Sequence, residues 1–201
     1  MDNSVMIACG SRSIVPEFPA VLMGFGNVPS EGIDDPLEVN GVVIKCQAST
    51  VILLSADVLF VGKKLKDQVL KSLRDKQIID GSFADENLIW AASHNHHAPA
   101  CDAEKPGLGQ FDQRFFDQLE KAAFEIITEA LASDFVEATL EHTEAQAESL
   151  IVNRRKRVWS GHPFKRDMRL YPNPAGAKDE TVHLITCLDR HRRVVAALWN
   201  F

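Results

Sequence analysis

Two amphipathic segments, each preceded by a short apolar run, constrain the fold of this chain more than any other feature. Residues 63–73 and 112–131 place apolar side chains at helical spacing, with polar side chains opposite them. The runs before them, 50–54 and 87–92, are almost continuously apolar, as expected of strands covered on both faces. The alternation of strand and helix predicts an α/β fold in which helices flank a mixed, largely parallel sheet.

Further β-rich runs predict strands, with hairpins, towards both ends of the chain. These runs are Val5–Cys9, Val39–Gln47, Val136–Ala147, Thr181–Leu188 and Val194–Trp199. With 201 residues, 45% of them hydrophobic, and no linker-like stretch, residues 1–201 are expected to form a single domain.

Composition excludes several classes of protein. No apolar run approaches the roughly 20 residues of a membrane-spanning helix, and the first residues lack the pattern of a secretory signal. The net charge is −6 and the basic residues are scattered apart from 154–157, so we expect no nucleic-acid partner. Four cysteines lie far apart without a CxxC motif, which predicts reduced thiols in a cytoplasmic protein.

A histidine cluster is the strongest candidate site. His94, His96 and His97 hold three of the seven histidines and directly follow the apolar run 87–92. In an extended segment, residues two apart point to the same side, so His94 and His96 would present two imidazoles to one point, with His97 directed away. Two neutral imidazoles suit zinc, and the end of a strand in an α/β sheet is a usual ligand position. Ordinary hydrogen-bonded loop histidines remain the alternative.

Two other residues are candidates for the same site. Asp57 ends an apolar strand and could act as a metal ligand or orient one, although a turn or helix-capping role is equally consistent. Arg154 is predicted to follow a strand and could pair with an anionic or carbonyl oxygen of a substrate, although a charged surface turn is the simpler interpretation. The remaining histidines, His142, His162, His183 and His191, are isolated in sequence and are expected to be structural.

Taken in order, these pieces resemble the N-terminal catalytic region of the neutral/alkaline, non-lysosomal ceramidase family. The matching segments are Leu22-Met23-Gly24-Phe25-Gly26, Asp35-Pro36-Leu37, Leu54-Ser55-Ala56-Asp57, Ala92-Ser93-His94-Asn95-His96-His97-Ala98-Pro99 and Val152-Asn153-Arg154. Of these, the histidine motif is the most specific. Asn95 and His97 stand where the family carries threonine and serine, and Arg155 replaces a serine.

The resemblance implies a zinc amidase that cleaves the N-acyl bond of ceramide to give sphingosine and a fatty acid. It makes His94 a zinc ligand, His96 a residue beside the metal that contacts the substrate or the developing oxyanion, and Arg154 an active-site arginine. In the family the second histidine ligand follows an Asn-Phe dipeptide, which here is Asn200-Phe201. The resemblance therefore implies that residues 1–201 are the N-terminal portion of a longer catalytic domain, with the other zinc ligands beyond Phe201.

Three hypotheses follow. The first is a zinc-dependent amide hydrolase that acts on a small-molecule or lipid amide through His94, His96 and Arg154, with Zn²⁺ as cofactor. The second is a metal hydrolase for a different amide or ester, which the altered histidine motif suggests. The third is a non-catalytic binding or structural module with an incomplete metal site.

Overall fold

The computed structural model describes residues 4–24, 28–47, 49–148, 150–159, 161 and 166–201. The elements in chain order are β1 Ser4–Ser13, β2 Glu38–Cys46, β3 Ser49–Ala56, α1 Lys63–Asp75, β4 Leu88–Ala92, α2 Gln113–Ala132, β5 Val136–Gln146, β6 Asn153–Trp159, β7 Arg166–Asn173, β8 Thr181–Asp189 and β9 Val194–Asn200. Seven strands form one sheet in the order β4-β3-β2-β1-β5-β8-β9, and β6 pairs with β7 in a separate two-stranded sheet.

The predicted α/β fold with a mixed sheet, flanking helices and a C-terminal hairpin is confirmed, but the sheet is not largely parallel. Within the described strands, β3 and β4 form the single parallel pair, and the other pairs are antiparallel. The reason lies in the connections. A parallel pair needs a crossover, which α1 provides between β3 and β4. The β2–β3 and β8–β9 connections are short turns, and these require antiparallel neighbours.

Both helices lie on one face of the sheet. Helix α2 packs on β1 and β2, and α1 packs on α2. The apolar stripe predicted for α2 is buried, and Asp112 caps the start of the helix by accepting hydrogen bonds from the backbone amides of Arg114 and Phe115. A smaller apolar cluster lies on the opposite face and contains Val5, Ile7, Ala138 and Cys187. None of the described helices has the length and the apolar character that are needed to cross a membrane.

The predicted hairpin near the C-terminus is held by one carboxylate. Asp189 accepts hydrogen bonds from the backbone amides of His191, at 2.8 Å, and Arg193, at 2.9 Å, and from Nε of Arg193 at 2.8 Å. These donors lower the pKa of Asp189 to about 2. The turn between β8 and β9 is therefore tied to a carboxylate that stays ionised at neutral pH.

The strands β6 and β7 are absent from the sequence prediction. The basic residues 154–157 in β6 are exposed, so the strand lacks the apolar alternation that identifies a half-buried strand. Cations lie over aromatic rings instead: Lys156 is 5.5 Å from the Tyr171 ring, and Arg166 is 4.6 Å from the Trp159 ring. All four cysteines are free, as the sequence predicts.

A pair of glycines lets α2 approach the sheet. Gly10 and Gly41 are cross-strand partners in β1 and β2, and both face Ile126 of α2. A Cβ atom on Gly41 would lie 2.5 Å from Cγ2 of Ile126 and 2.9 Å from Cδ2 of Leu54. Because both neighbours are buried side chains, a side chain at this position would require packed groups or the helix to shift, so its absence lets α2 lie close to the sheet.

We therefore expect Gly41→Ala to lower the free energy of unfolding by about 1–3 kcal/mol, the usual cost of overpacking a core. Urea denaturation monitored by circular dichroism measures this change. Gly81→Ala is the matched control, because a Cβ atom there meets nothing within 4 Å, and its effect should stay within about 0.5 kcal/mol. Equal effects of the two substitutions would show that α2 does not depend on this close approach.

Candidate functional site

The histidine loop, residues 93–97, continues directly from the carboxyl end of the parallel β3–β4 pair. The amide of Ser93 donates to the carbonyl of Ala56 at 3.0 Å, and the amide of Asn95 donates to the carbonyl of Val58 at 3.2 Å. The loop is thus fixed to the end of β3 by main-chain hydrogen bonds. This edge of parallel strands is where open α/β sheets bind ligands.

The structure brings the rings of His94 and His96 into contact, but not through the extended segment that their spacing predicts. Their ring centroids are 5.3 Å apart and their planes are nearly perpendicular, at 88°. The reason is the backbone of His94, whose φ of 62° lies in the left-handed region that residues with side chains rarely adopt. Unfavourable backbone conformations of this kind cluster at functional sites.

A backbone carbonyl orients the His94 ring. Nδ1 of His94 lies 3.2 Å from the carbonyl oxygen of Leu59, and the Phe60 ring contacts the imidazole edge-on with centroids 5.3 Å apart. A carbonyl can only accept, so Nδ1 donates in this bond, and in the neutral imidazole Nε2 is then the nitrogen that has the lone pair. Histidines that bind metals usually donate their other ring N–H to a carbonyl or carboxylate in this way. His94 is also among the exposed residues.

Gly24 packs against the ring of His96. A Cβ atom on Gly24 would lie 2.8 Å from Cε1 of His96 and even closer to Nδ1, and the φ of Gly24 is 92°. The segment is held in place by hydrogen bonds from the amide of Met23 to the carbonyl of Ala98, at 2.9 Å, and from the amide of Gly24 to the carbonyl of Leu108, at 2.6 Å. Gly24 of the Leu22-Met23-Gly24 motif thus lies directly against the His96 ring, whereas Phe25 and Gly26 lie outside the described residues.

Asp57 and Arg154, the two other candidate residues, lie in different parts of the structure. Oδ2 of Asp57 accepts the backbone amide of Glu38 at 3.1 Å, and the Asp57 amide donates to the Glu38 carbonyl at 2.9 Å, which closes the end of the β2–β3 pair. Asp57 thus has a structural role at this end of the sheet, and its predicted role at the metal stays a prediction. The prediction that Arg154 follows a strand is wrong, because Arg154 lies within β6, exposed on the two-stranded sheet.

A groove of about 700 Å³ borders the histidine loop. Asn95 and His97, two positions at which the chain departs from the ceramidase motif, line it together with residues of the proline-rich segments 15–22 and 28–37. Oδ1 of Asn95 accepts the backbone amide of His97 at 2.5 Å, which holds the two residues in a tight turn. Apolar side chains such as Phe18 and carboxylates such as Asp34 share the walls, so the groove suits a ligand with both apolar and polar parts.

His142 and His183, which are isolated in the sequence, lie side by side in the structure. They lie on the neighbouring strands β5 and β8, with Nε2 of His142 3.3 Å from Nδ1 of His183 and Glu144 beside them. The alternation of His142 and Glu144 on a predicted strand was a signal in the sequence, but the pairing of β5 with β8 was needed to add His183. His162 lies outside the described residues, and His191 is in the β8–β9 turn.

The architecture is that of ceramidase structures over part of their length. The crystal structure of neutral ceramidase from Pseudomonas aeruginosa superposes with a TM-score of 0.74 at 17% identity, covering 99% of this chain and 32% of that protein. A ceramidase complexed with C2 gives a TM-score of 0.73 at 17% identity, over 98% of this chain and 31% of its own. No protein-family model and no curated protein matches the sequence. The chain thus has the neutral ceramidase fold and spans about a third of these proteins.

The packing of Gly24 on His96 leads to a prediction. Gly24→Ala adds a methyl group against the imidazole and forces a residue with a side chain into a left-handed conformation. We expect it to destabilise the protein by at least about 1 kcal/mol and to shift the Cε1–H NMR signal of His96. Gly32→Ala, in the same segment and with open space around its Cβ position, should change neither quantity. An unmoved His96 signal in Gly24→Ala would refute this contact.

Proposed function

We propose that the chain provides part of the active site of a zinc-dependent amide hydrolase that cleaves an N-acyl bond, releasing a sphingoid base and a fatty acid from a ceramide-like lipid. The observation that carries the proposal is the orientation of His94 by the Leu59 carbonyl, which leaves Nε2 of an exposed imidazole available at the end of a parallel strand pair. The ceramidase fold of the chain supports the choice of reaction.

The donor chemistry fits zinc. Neutral imidazole nitrogen is among the preferred ligands of Zn²⁺, and the proton on Nδ1 of His94 fixes the tautomer that leaves Nε2 free to bind. His94 would hold the ion, and His96, whose ring touches His94, would lie beside it. Zinc in such a site polarises an amide carbonyl and lowers the pKa of bound water towards neutrality. A catalytic zinc takes about three protein ligands, so we propose that the others belong to a longer catalytic domain.

His96 and Arg154 would handle charge and protons. The half-buried imidazole of His96 is held between the His94 ring and Gly24, so it is preorganised to donate a hydrogen bond to the substrate oxygen or to pass a proton to the leaving amine. The guanidinium of Arg154 offers a planar set of donors. We propose that it stabilises the negative charge that develops on the carbonyl oxygen.

The groove beside the loop is the proposed entry for the substrate. Its apolar walls suit an acyl or sphingoid chain, and its polar rim suits the amide and hydroxyl groups of a headgroup. The carboxylates of Glu31, Asp34 and Asp35 also line it, and this favours the second hypothesis, a different and more polar amide or ester. A panel of amides that differ in chain length and headgroup separates the two.

The role of His94 is tested by substitution in the full-length protein. We expect His94→Ala to lose stoichiometric zinc, measured by elemental analysis, together with hydrolysis of an N-acyl sphingoid substrate. His97→Ala is the matched control, since His97 lines the groove and should alter substrate preference while zinc is retained. Zinc content that survives His94→Ala would overturn the proposal, and a stable protein without zinc or activity would favour the non-catalytic module.

The role of Arg154 has a neighbouring control. Arg154→Ala should lower kcat by about 10²–10³-fold, the usual cost of removing a donor to a developing oxyanion, with zinc content unchanged. Arg155→Ala removes an equal charge from the next position of the same exposed strand and should leave kcat close to that of the unaltered protein. Equal losses in both variants would mean that only the charge of the β6–β7 sheet matters.

A further inference from the structure

A second group of metal-binding side chains lies on the sheet itself. Glu144 of β5 and His183 of β8 are direct cross-strand partners, and His142 precedes Glu144 by two residues on β5. Cross-strand partners share a face of a sheet, as do residues two apart in one strand. The pleat and the register of the β5–β8 pair therefore bring two imidazoles and one carboxylate together.

The distances between their donor atoms match those around one metal ion. Nδ1 of His183 lies 3.3 Å from Nε2 of His142 and 3.3 Å from Oε1 of Glu144, and the third side of the triangle is 3.9 Å. A tetrahedral zinc with bonds of about 2.0–2.1 Å holds its ligand atoms about 3.3–3.4 Å apart. Two sides thus agree as they stand, and the third requires a small rotation of an exposed side chain.

The orientation of the rings is compatible with a shared ion. The two imidazoles are nearly parallel, at 12°, with centroids 5.5 Å apart, and Nε2 of His142 lies 3.3 Å from Nδ1 of His183. Without a metal, the neutral rings share one N–H between these two atoms, and a metal ion would take the place of that proton between two lone pairs. The adjacent carboxylate contributes a negative charge that attracts a cation.

The side chains are open to incoming ions and water. The exposed fractions are 52% for His142, 56% for Glu144 and 42% for His183. A fourth position would therefore be filled by water, as in zinc sites with two histidines and one glutamate. Neither backbone strain nor a buried unpaired charge has to be relieved for binding, so the cost of assembling the site is small.

This group is remote from the histidine loop. β4 and β8 run in the same direction, His94 follows the carboxyl end of β4, and His183 is near the start of β8. The two groups therefore lie at opposite ends of the sheet. Four strands lie between β4 and β8, so the two strands are five spacings apart. At about 4.8 Å per spacing, this distance is roughly 24 Å.

We propose that His142, Glu144 and His183 form a site for a divalent transition-metal ion, zinc by ligand preference, that joins β5 to β8. Imidazole and carboxylate ligands bind first-row transition-metal ions of intermediate softness. Zinc has no electronic preference against a tetrahedral arrangement of such ligands. This site exists only in the folded protein, because the register of β5 with β8 creates it. Zinc therefore stabilises the sheet at this end.

The test uses the 201-residue chain carrying His94→Ala, so that the histidine loop contributes no ligand from that position. Equilibrium dialysis against Zn²⁺ should give one saturable site per chain, and Zn²⁺ should raise the thermal midpoint. In this background His142→Ala, Glu144→Gln and His183→Ala should each weaken binding at least about tenfold. The matched controls are Glu141→Gln, which points to the other face of β5 and loses a bond to Arg192, and His191→Ala, and both should bind as before.

Metal-free melting curves keep the result interpretable. The three side chains are largely exposed, so their substitutions should leave the metal-free thermal midpoint almost unchanged. Two results would overturn the proposal: no saturable Zn²⁺ binding in the His94→Ala chain, which means that the histidine pair holds only a proton, or binding that His183→Ala does not weaken. The outcome for the His94 site is measured separately and does not affect either result.

Discussion

The parallel pairing of β3 with β4 determines where the candidate site at the histidine loop can form. Because α1 crosses over between these strands, both end at the same edge, and the chain leaves that edge into the histidine loop. Amides of the loop donate to carbonyls of residues 56 and 58, so the pairing extends beyond the last residues of the strands. The carboxyl ends of the parallel strands meet at this edge. Hydrogen bonds from the loop amides to carbonyls there restrain the loop, and so restrain side chains that would otherwise be free to move.

From this anchor the positions of both imidazoles follow through three constraints. The left-handed backbone of His94 turns its ring towards His96, the Leu59 carbonyl selects its tautomer, and Gly24 leaves room for the ring of His96. The first and the third of these cost free energy, since non-glycine residues avoid the left-handed region and a glycine loses more entropy on folding. Main-chain hydrogen bonds from Met23 and Gly24 offset part of that cost.

Periodicity predicted the elements that have a regular apolar pattern and missed β6 and β7, which do not. The stripe of α2 and the runs of β3 and β4 have one favourable arrangement, because exposure of their side chains would be unfavourable by about 25 cal/mol per Å². The exposed strand β6 has no such requirement, since its pairing with β7 depends on backbone bonds and cation–π contacts. The largely parallel sheet was wrong because a strand pattern contains no direction, and direction follows from the connections.

The candidate sites show the same division. His94 and His96 could be paired from the sequence because they are local, whereas His183 reaches His142 only through a register set by strands 41 residues apart. The sequence left Asp57 open between a metal ligand and a structural residue, and the structure adds a contact that the sequence could not show. Its carboxylate accepts the Glu38 amide, which lies 19 positions away in the chain, and leaving that amide unsatisfied would cost about 1–3 kcal/mol. Only Oδ2 makes this bond, so a metal ion that took Oδ2 would have to exceed this cost, whereas one that took Oδ1 would not. Local spacing contains neither the partner of a carboxylate nor which of its two oxygens is occupied, and both follow only from the pairing of β2 with β3.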